Sequence, residues 1–190
     1  MSEHLRQYTT IVFGFEHVLR LVPGDAWENP SPCEGWSARQ VAGHAMAVVN
    51  NVAARGGVGA RVDAFADLDD FAGVDPLETF RAIRDRYLEA TDRAGALETL
   101  VESSLGEMTL DAFIGRMRSD TLVHTWDLAR ATGVDETLDP GAVSVVYADY
   151  ISGVNDAPRA PGRYADAIDT DPAASEQDRM IAFTGRDPRP

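Results

Sequence analysis

Two side chains of types that bind metal ions interrupt the apolar face of one predicted helix. Asp120 and His124 are four residues apart, so on a helix they lie on adjacent turns with Cβ atoms about 5–6 Å apart. Both fall in the stripe that also carries Phe113 and Leu128, where apolar residues are expected. This spacing places a carboxylate and an imidazole where they could bind one ion together.

A third potential ligand lies on another predicted helix. His44 falls within the apolar arc defined by Val41 and Val48, so it is expected to face the same core. A buried carboxylate such as that of Asp120 costs several kcal/mol unless it is paired or coordinated. A divalent cation held by His44, Asp120 and His124 would offset that cost.

Nitrogen and carboxylate ligands suit Zn²⁺ best, and Ni²⁺ and Fe²⁺ remain open. Three protein ligands leave one position for water or substrate, which is typical of a catalytic zinc site. The spacing by itself also allows a simpler interpretation, because a pair four residues apart is a weak signal. In that interpretation Asp120 and His124 form an ordinary buried hydrogen bond, and His44 is a core histidine with its own partners.

Two further residues could take part in chemistry. Arg84 lies between Phe80 and Leu88 on the inner face of a predicted helix, where its guanidinium could bind a substrate carboxylate. We therefore name Arg84 as the candidate catalytic residue, with an outward-pointing or ion-paired arginine as the alternative. Cys33 precedes the helix of His44, and we expect a loop anchor there rather than a reactive thiol, since no histidine is near it in sequence.

Three more side chains near the predicted ligands have two interpretations each. Trp36 and Trp126 are expected to be packing anchors, with a wall of the substrate site as the alternative. Asp127 could support a metal-binding histidine through a hydrogen bond, and a solvated surface charge is the alternative.

Apolar residues recurring every three or four positions predict the helices that carry these residues. We predict helices from about Leu5 to Val22, from Ser37 to Gly56, from Asp75 to about Arg93, and from Thr109 to Gly133. A fifth helix is predicted over 140–152, a loop with a short helical turn over 58–75, an extended segment over 99–104, and an irregular tail over 153–190. The prediction is an all-α protein built on four main helices.

Composition narrows the classes of partner. The 190 residues suit one domain spanning 1–190, and 31 acidic against 17 basic residues give a formal net charge of -14. This charge repels phosphate backbones and anionic lipids, so we expect neither nucleic acid nor membrane as a partner. The chain has no lysine, no run of roughly 18 apolar residues and no secretion-signal pattern, so a cytoplasmic protein is expected.

Three segments together resemble a known family. They are Pro32-Cys33-Glu34-Gly35-Trp36-Ser37 leading to His44, the stretch from Asp120 to Ala129, and the stretch from Ala182 to Pro188. In order along the chain they resemble the DinB-like metal-binding superfamily, whose fold is a DinB/YfiT-like four-helix bundle. More narrowly, they resemble the branch with the metal-binding domain of mycothiol-dependent maleylpyruvate isomerase.

This resemblance implies that His44, Asp120 and His124 take the places of the three metal ligands, with Asp120 where the family often has glutamate. It also implies a small-molecule substrate or thiol as partner, with mycothiol as the expected thiol cofactor, and leaves a homodimer open. We expect a metal-dependent enzyme that transfers or isomerises through a thiol. A non-catalytic metal-binding or small-molecule-binding module and a metal-dependent hydrolase are the alternatives.

Overall fold

The structure is a computed structural model that describes residues 1–104, 106–153 and 164–189. These residues divide into two compact units, Met1–Glu136 and Thr137–Pro190, and each is described by itself. A single domain spanning 1–190 therefore stays a prediction.

The first unit contains five helices and one hairpin among its described residues. The helices are α1 (Glu3–Leu21), α2 (Ala38–Arg55), α3 (Leu68–Ala72), α4 (Pro76–Asp92) and α5 (Leu110–Thr132). A turn of 3-10 helix (Ala96–Glu98) and the strands β1 (Leu100–Ser103) and β2 (Gly106–Thr109) connect α4 to α5. The second unit contains α6 (Pro140–Ile151) and α7 (Glu176–Phe183), which pack on each other.

Three of the main helices, α2, α4 and α5, begin at the residues that the sequence predicts, and α1 begins at Glu3, two residues before its predicted start. Ser37 and Gln40 form a capping box at the start of α2, since each side chain accepts from the backbone N–H of the other. Asp75 caps α4 and Thr109 caps α5, each accepting from a backbone N–H three residues on. α5 ends at Gly133, whose φ of 70° is in the left-handed region that favours glycine.

Four long helices form the bundle. α1 packs on α5 and α4, and α2 also packs on α5 and α4, so each helix contacts two neighbours around one core. Aromatic pairs in edge-to-face contact link α1 to α4: Phe15 with Phe80, at 4.9 Å between ring centroids, and Tyr8 with Tyr87, at 5.6 Å. The predicted all-α four-helix bundle is confirmed, with α6 as the extra C-terminal helix.

One prediction about the connections is confirmed and one needs correction. The extended segment expected over 99–104 is the strand β1, which forms one half of an antiparallel hairpin, in which Leu100 pairs with Thr109 and Ser103 with Gly106. The tail expected to be irregular contains α7, which Ser175 caps; residues 154–163 and 190 of that tail lie outside the described residues. The helix over Glu176–Phe183 was missed from the sequence because eight residues are too few to show a repeating apolar pattern.

A glycine allows the short helix α3 to lie directly on α2. A Cβ atom on Gly43 would be 2.1 Å from the Leu68 carbonyl oxygen, closer than real Cβ contacts, which stay beyond 3.0 Å. Gly43 precedes His44, so this close approach also brings the chain before α3 next to the first predicted ligand.

In the parts of the chain that the structure describes, no helix combines the length and apolar character that crossing a membrane needs.

Candidate metal centre

The three predicted ligands lie together between α2 and α5. His44 projects from α2, and Asp120 and His124 project from α5; one donor atom from each lies within 4.8 Å of the other two. His44 Nε2 is 3.4 Å from Asp120 Oδ1, and the two imidazole rings are 4.6 Å apart between centroids. The packing of α2 on α5 therefore places two imidazoles and one carboxylate where they could coordinate the same ion.

A hydrogen bond on the far side of the His44 ring determines whether the nitrogen that faces Asp120 is a donor or an acceptor. His44 Nδ1 lies 2.6 Å from the carbonyl oxygen of Ala64, which can only accept, so Nδ1 carries a proton. In the neutral ring, Nε2 then presents a lone pair to the carboxylate of Asp120. Two acceptors that face each other at 3.4 Å need a cation between them, either a proton or a metal ion.

The pKa of His44 agrees with this geometry. Burial lowers the pKa of His44, but the charge of Asp120, together with hydrogen bonds to Asp120 and Ala64, outweighs burial and raises that pKa above its usual value. His44 is 2% exposed, so little water is available to satisfy Nε2 instead. The site thus attracts a positive charge to the point between His44 and Asp120.

The loop that supplies the Ala64 carbonyl is tied to α2. Asn51 Nδ2 donates to the Val62 carbonyl and Asn51 Oδ1 accepts from the Val62 N–H, both at 2.9 Å. Asn50 Nδ2 donates to the Ala60 carbonyl, also at 2.9 Å. α2 therefore carries the predicted ligand His44 and also the side chains of Asn50 and Asn51, which position the loop whose carbonyl orients the His44 ring.

His124 has a comparable support on its own helix. Its Nδ1 donates to Asp127 Oδ2 at 2.9 Å, and Asp127 is completely buried. The interpretation of Asp127 as a solvated surface charge is therefore wrong. Because Nδ1 carries the proton in this bond, Nε2 is the nitrogen with a lone pair for a metal ion. A carboxylate behind a histidine is the arrangement that orients metal-binding imidazoles.

Cys33 was considered from the sequence, but its contact with His124 and Asp127 was missed. Its thiol lies 3.2 Å from Asp127 Oδ2 and 3.7 Å from His124 Nδ1, and these three side chains form a second group able to hold a metal ion. The loop before α2 reaches this place because Asn29 Nδ2 donates to the Ala131 carbonyl at the end of α5. More than ninety residues separate Cys33 from His124, and no local pattern indicates their contact.

One side of the site is open and aromatic. The side chain of Asp120 is 33% exposed, whereas those of His44 and His124 are 3% and 13% exposed. The Trp36 ring contacts both imidazoles, with centroids 5.1 Å and 6.3 Å away, and the Phe65 ring lies 4.9 Å from that of His44. Phe65 is 59% exposed, so an apolar surface reaches solvent next to the ligands.

The sequence also matches a known family over this part of the chain. The model of the family described as Mycothiol maleylpyruvate isomerase N-terminal domain matches residues 14–129. The chain belongs to this family. The match covers the candidate ligands and lies within the first compact unit, and it confirms the resemblance inferred from the sequence.

Relatives and solved structures add little about the activity of this family member. Two proteins of Mycobacterium tuberculosis, from strains CDC 1551 and H37Rv and both described as uncharacterized, are 28% identical to it over 178 residues. The alignments cover 90% of this chain and 91% of each relative. No solved structure gives a significant match.

Arg84 and Trp126 have their main contacts outside the group formed by His44, Asp120 and His124. Arg84 donates to Glu16 Oε2 at 2.5 Å and to Asp85 Oδ1 at 2.7 Å, so its guanidinium is held by two carboxylates. A catalytic role for Arg84 stays a prediction. Trp126 is 2% exposed with Arg130 stacked 4.7 Å from its ring, as expected of a packing anchor.

Proposed function

We propose that this protein binds one divalent metal ion through His44 Nε2, Asp120 and His124 Nε2. We further propose that it is an enzyme in which this site presents a low-molecular-weight thiol, with mycothiol as the first candidate, for S-transfer or isomerisation of an electrophilic substrate. A family description that names mycothiol and maleylpyruvate isomerase supports this choice of thiol and reaction class.

The observation that carries the metal proposal is the orientation of His44. Its Nδ1–H is committed to the Ala64 carbonyl, so the Nε2 lone pair faces Asp120 Oδ1. A metal ion coordinated by both Nε2 and Oδ1 would remove the repulsion between their lone pairs without protonating the ring. His124 has the same arrangement, with Nδ1–H committed to Asp127.

The donor set fits a transition metal. Two imidazole nitrogens and one carboxylate suit Zn²⁺ best, with Ni²⁺ and Fe²⁺ as the other candidates, and they are too few and too nitrogen-rich for Ca²⁺ or Mg²⁺. When bound, such an ion would lower the pKa of a thiol or water at its remaining coordination position.

The chain's own residues contribute orientation and exclusion of water. Ala64 and Asp127 hold the two imidazoles from behind, which keeps both Nε2 atoms aimed at the same place. Trp36 and Phe65 cover the imidazoles from the side, and the partly exposed Asp120 marks where a thiol or substrate can enter. Aromatic side chains next to a charged centre suit a small electrophile with an apolar part.

Metal analysis of single variants tests the ligand assignment. Purified wild-type protein should bind one equivalent of Zn²⁺, measured by elemental analysis and by competition with a chromophoric chelator. His44→Ala and His124→Ala should each weaken binding by at least about 100-fold, since a lost ligand costs more than a lost supporting residue. His17→Ala is the matched control, because His17 is exposed and paired with Arg20 on α1. Unchanged affinity in His44→Ala would refute the assignment.

A turnover assay tests the reaction class. Metal-loaded protein is mixed with mycothiol and an electrophile, and two signals are compared with those of the metal-stripped protein: loss of thiol, which reports S-transfer, and conversion of the electrophile, which also reports isomerisation because that reaction regenerates the thiol. Turnover that needs both metal and thiol supports the proposal. Metal binding without turnover would point to a binding module, and thiol-independent hydrolysis would point to a hydrolase.

A further inference from the structure

A second set of donor atoms lies behind the candidate metal centre, on the other edge of the His124 ring. Cys33 Sγ is 3.2 Å from Asp127 Oδ2 and 3.7 Å from His124 Nδ1, and Nδ1 is 2.9 Å from Oδ2. Asp127 is completely buried, the side chain of His124 is 13% exposed, and Cys33 is half-buried. A sulfur, a nitrogen and an oxygen donor thus converge in a largely dehydrated place.

We propose that Cys33, His124 Nδ1 and Asp127 form a second metal site, selective for thiophilic divalent cations such as Cd²⁺, and that its occupancy empties the first site. The exclusion rests on the proposed function, because it requires His124 to be a ligand of the first site. The second site itself does not depend on His44 or Asp120.

The separations between the donors are compatible with one ion. Zinc lies about 2.3 Å from thiolate sulfur and about 2.0–2.1 Å from imidazole nitrogen, so two such donors on one ion are at most about 4.4 Å apart. The 3.7 Å between Cys33 and His124 is within this limit. The first site offers only nitrogen and oxygen donors, so the thiol makes the second site the preferred one for soft cations.

The two sites compete because they use the same imidazole. A neutral ring has one lone pair, and in the structure it is on Nε2, since Nδ1 donates to Asp127. Binding at the second site moves the ring proton from Nδ1 to Nε2 and releases the thiol proton of Cys33 to solvent. With Nε2 protonated, His124 can no longer bind an ion between itself and His44.

Titration with Cd²⁺ tests the second site directly, because a thiolate bound to Cd²⁺ gives a charge-transfer band in the ultraviolet. Wild-type protein should develop this band and saturate at one equivalent. Cys33→Ser should lose the band, and His44→Ala should keep it with unchanged affinity. A wild-type titration without the band, or a band that disappears in His44→Ala, would overturn the proposal.

Asp127→Asn separates a three-donor site from a cysteine that binds Cd²⁺ by itself. This variant should bind Cd²⁺ at least about 10-fold more weakly, and an unchanged affinity would overturn the proposal. Should the Asn variant fail to fold, ¹¹³Cd NMR of the wild type replaces it. A resonance at a position typical of mixed sulfur, nitrogen and oxygen ligands supports the site, and one typical of oxygen and nitrogen alone overturns it.

Competition between metals tests the exclusion. Cd²⁺ added to the Zn²⁺-loaded protein should release about one equivalent of Zn²⁺ from the wild type and much less from Cys33→Ser. Equal release from both proteins, or a stable wild-type form with Zn²⁺ and Cd²⁺ bound together, would overturn the exclusion. Failure of the proposed function would instead appear as Zn²⁺ affinity that does not change in His44→Ala.

Discussion

A single methyl group added next to His44 should lower the Zn²⁺ affinity of the proposed metal centre, although no ligand is replaced. In Gly43→Ala the new Cβ would lie 2.1 Å from the Leu68 carbonyl oxygen, and it must reach at least 3.0 Å. The neighbouring atom is backbone, so α3 and the chain before it must move away from α2 by about 0.9 Å. Overpacking of this kind costs about 1–3 kcal/mol of folding free energy.

The same displacement of the chain before α3 should lengthen the hydrogen bond that orients His44. Ala64 is four residues before Leu68, and its carbonyl accepts from His44 Nδ1 at 2.6 Å. A displacement of about 0.9 Å would bring this distance to the upper limit of a hydrogen bond, since 3.6 Å no longer counts as one. Loss of a support of this type lowers metal affinity by about 10- to 100-fold. Gly43→Ala should show both effects together.

Two measurements separate the effects. Urea unfolding of the metal-free protein gives the change in folding free energy, and chelator competition gives the change in Zn²⁺ affinity. Gly14→Ala is the matched control, because Gly14 is also within a helix but a Cβ there would contact nothing within 4 Å. The control should be as stable as the wild type or up to about 1 kcal/mol more stable, since alanine favours helix. If Gly43→Ala behaves like Gly14→Ala, the contact between α2 and α3 does not position His44.

Three further predictions concern the loop, the pH and the α1–α4 ion pairs. Asn51→Ala removes both hydrogen bonds to Val62, so Zn²⁺ affinity should fall by about 10-fold, and an unchanged affinity would show that the loop is held otherwise. The raised pKa of His44 stabilises the metal-free fold below about pH 6.5, and this contribution is lost as pH rises through the folded-state pKa. Protons therefore compete with metal above pH 6.5, and the holo-minus-apo difference in melting temperature should shrink from about pH 8 to about pH 5 in calorimetry; a constant difference would contradict it. Arg84→Met should cost about 1 kcal/mol by breaking the ion pair with Glu16 and leave Zn²⁺ affinity unchanged; reduced turnover in this variant would support the catalytic role.

The sequence alone was sufficient for the four main helices and for naming the three residues that the structure brings together between α2 and α5. Helix boundaries follow from caps that act locally, as at Ser37 and Thr109, so they can be read from a few adjacent residues. Asp120 and His124 stand out because helical periodicity places them among apolar residues on one face. That these residues bind metal was inferred from their chemistry and the family resemblance, and it stays a proposal.

The contacts around those residues were decided by tertiary structure. The Ala64 carbonyl orients His44 through a backbone atom, which no side-chain pattern encodes, and Cys33 reaches Asp127 only because the loop before α2 lies against the end of α5. The buried state of Asp127 likewise depends on what covers its face of the helix rather than on its own residue type. Local interactions determine where each helix begins and ends, whereas the partners of a side chain depend on which helices pack together, and that depends on the whole chain.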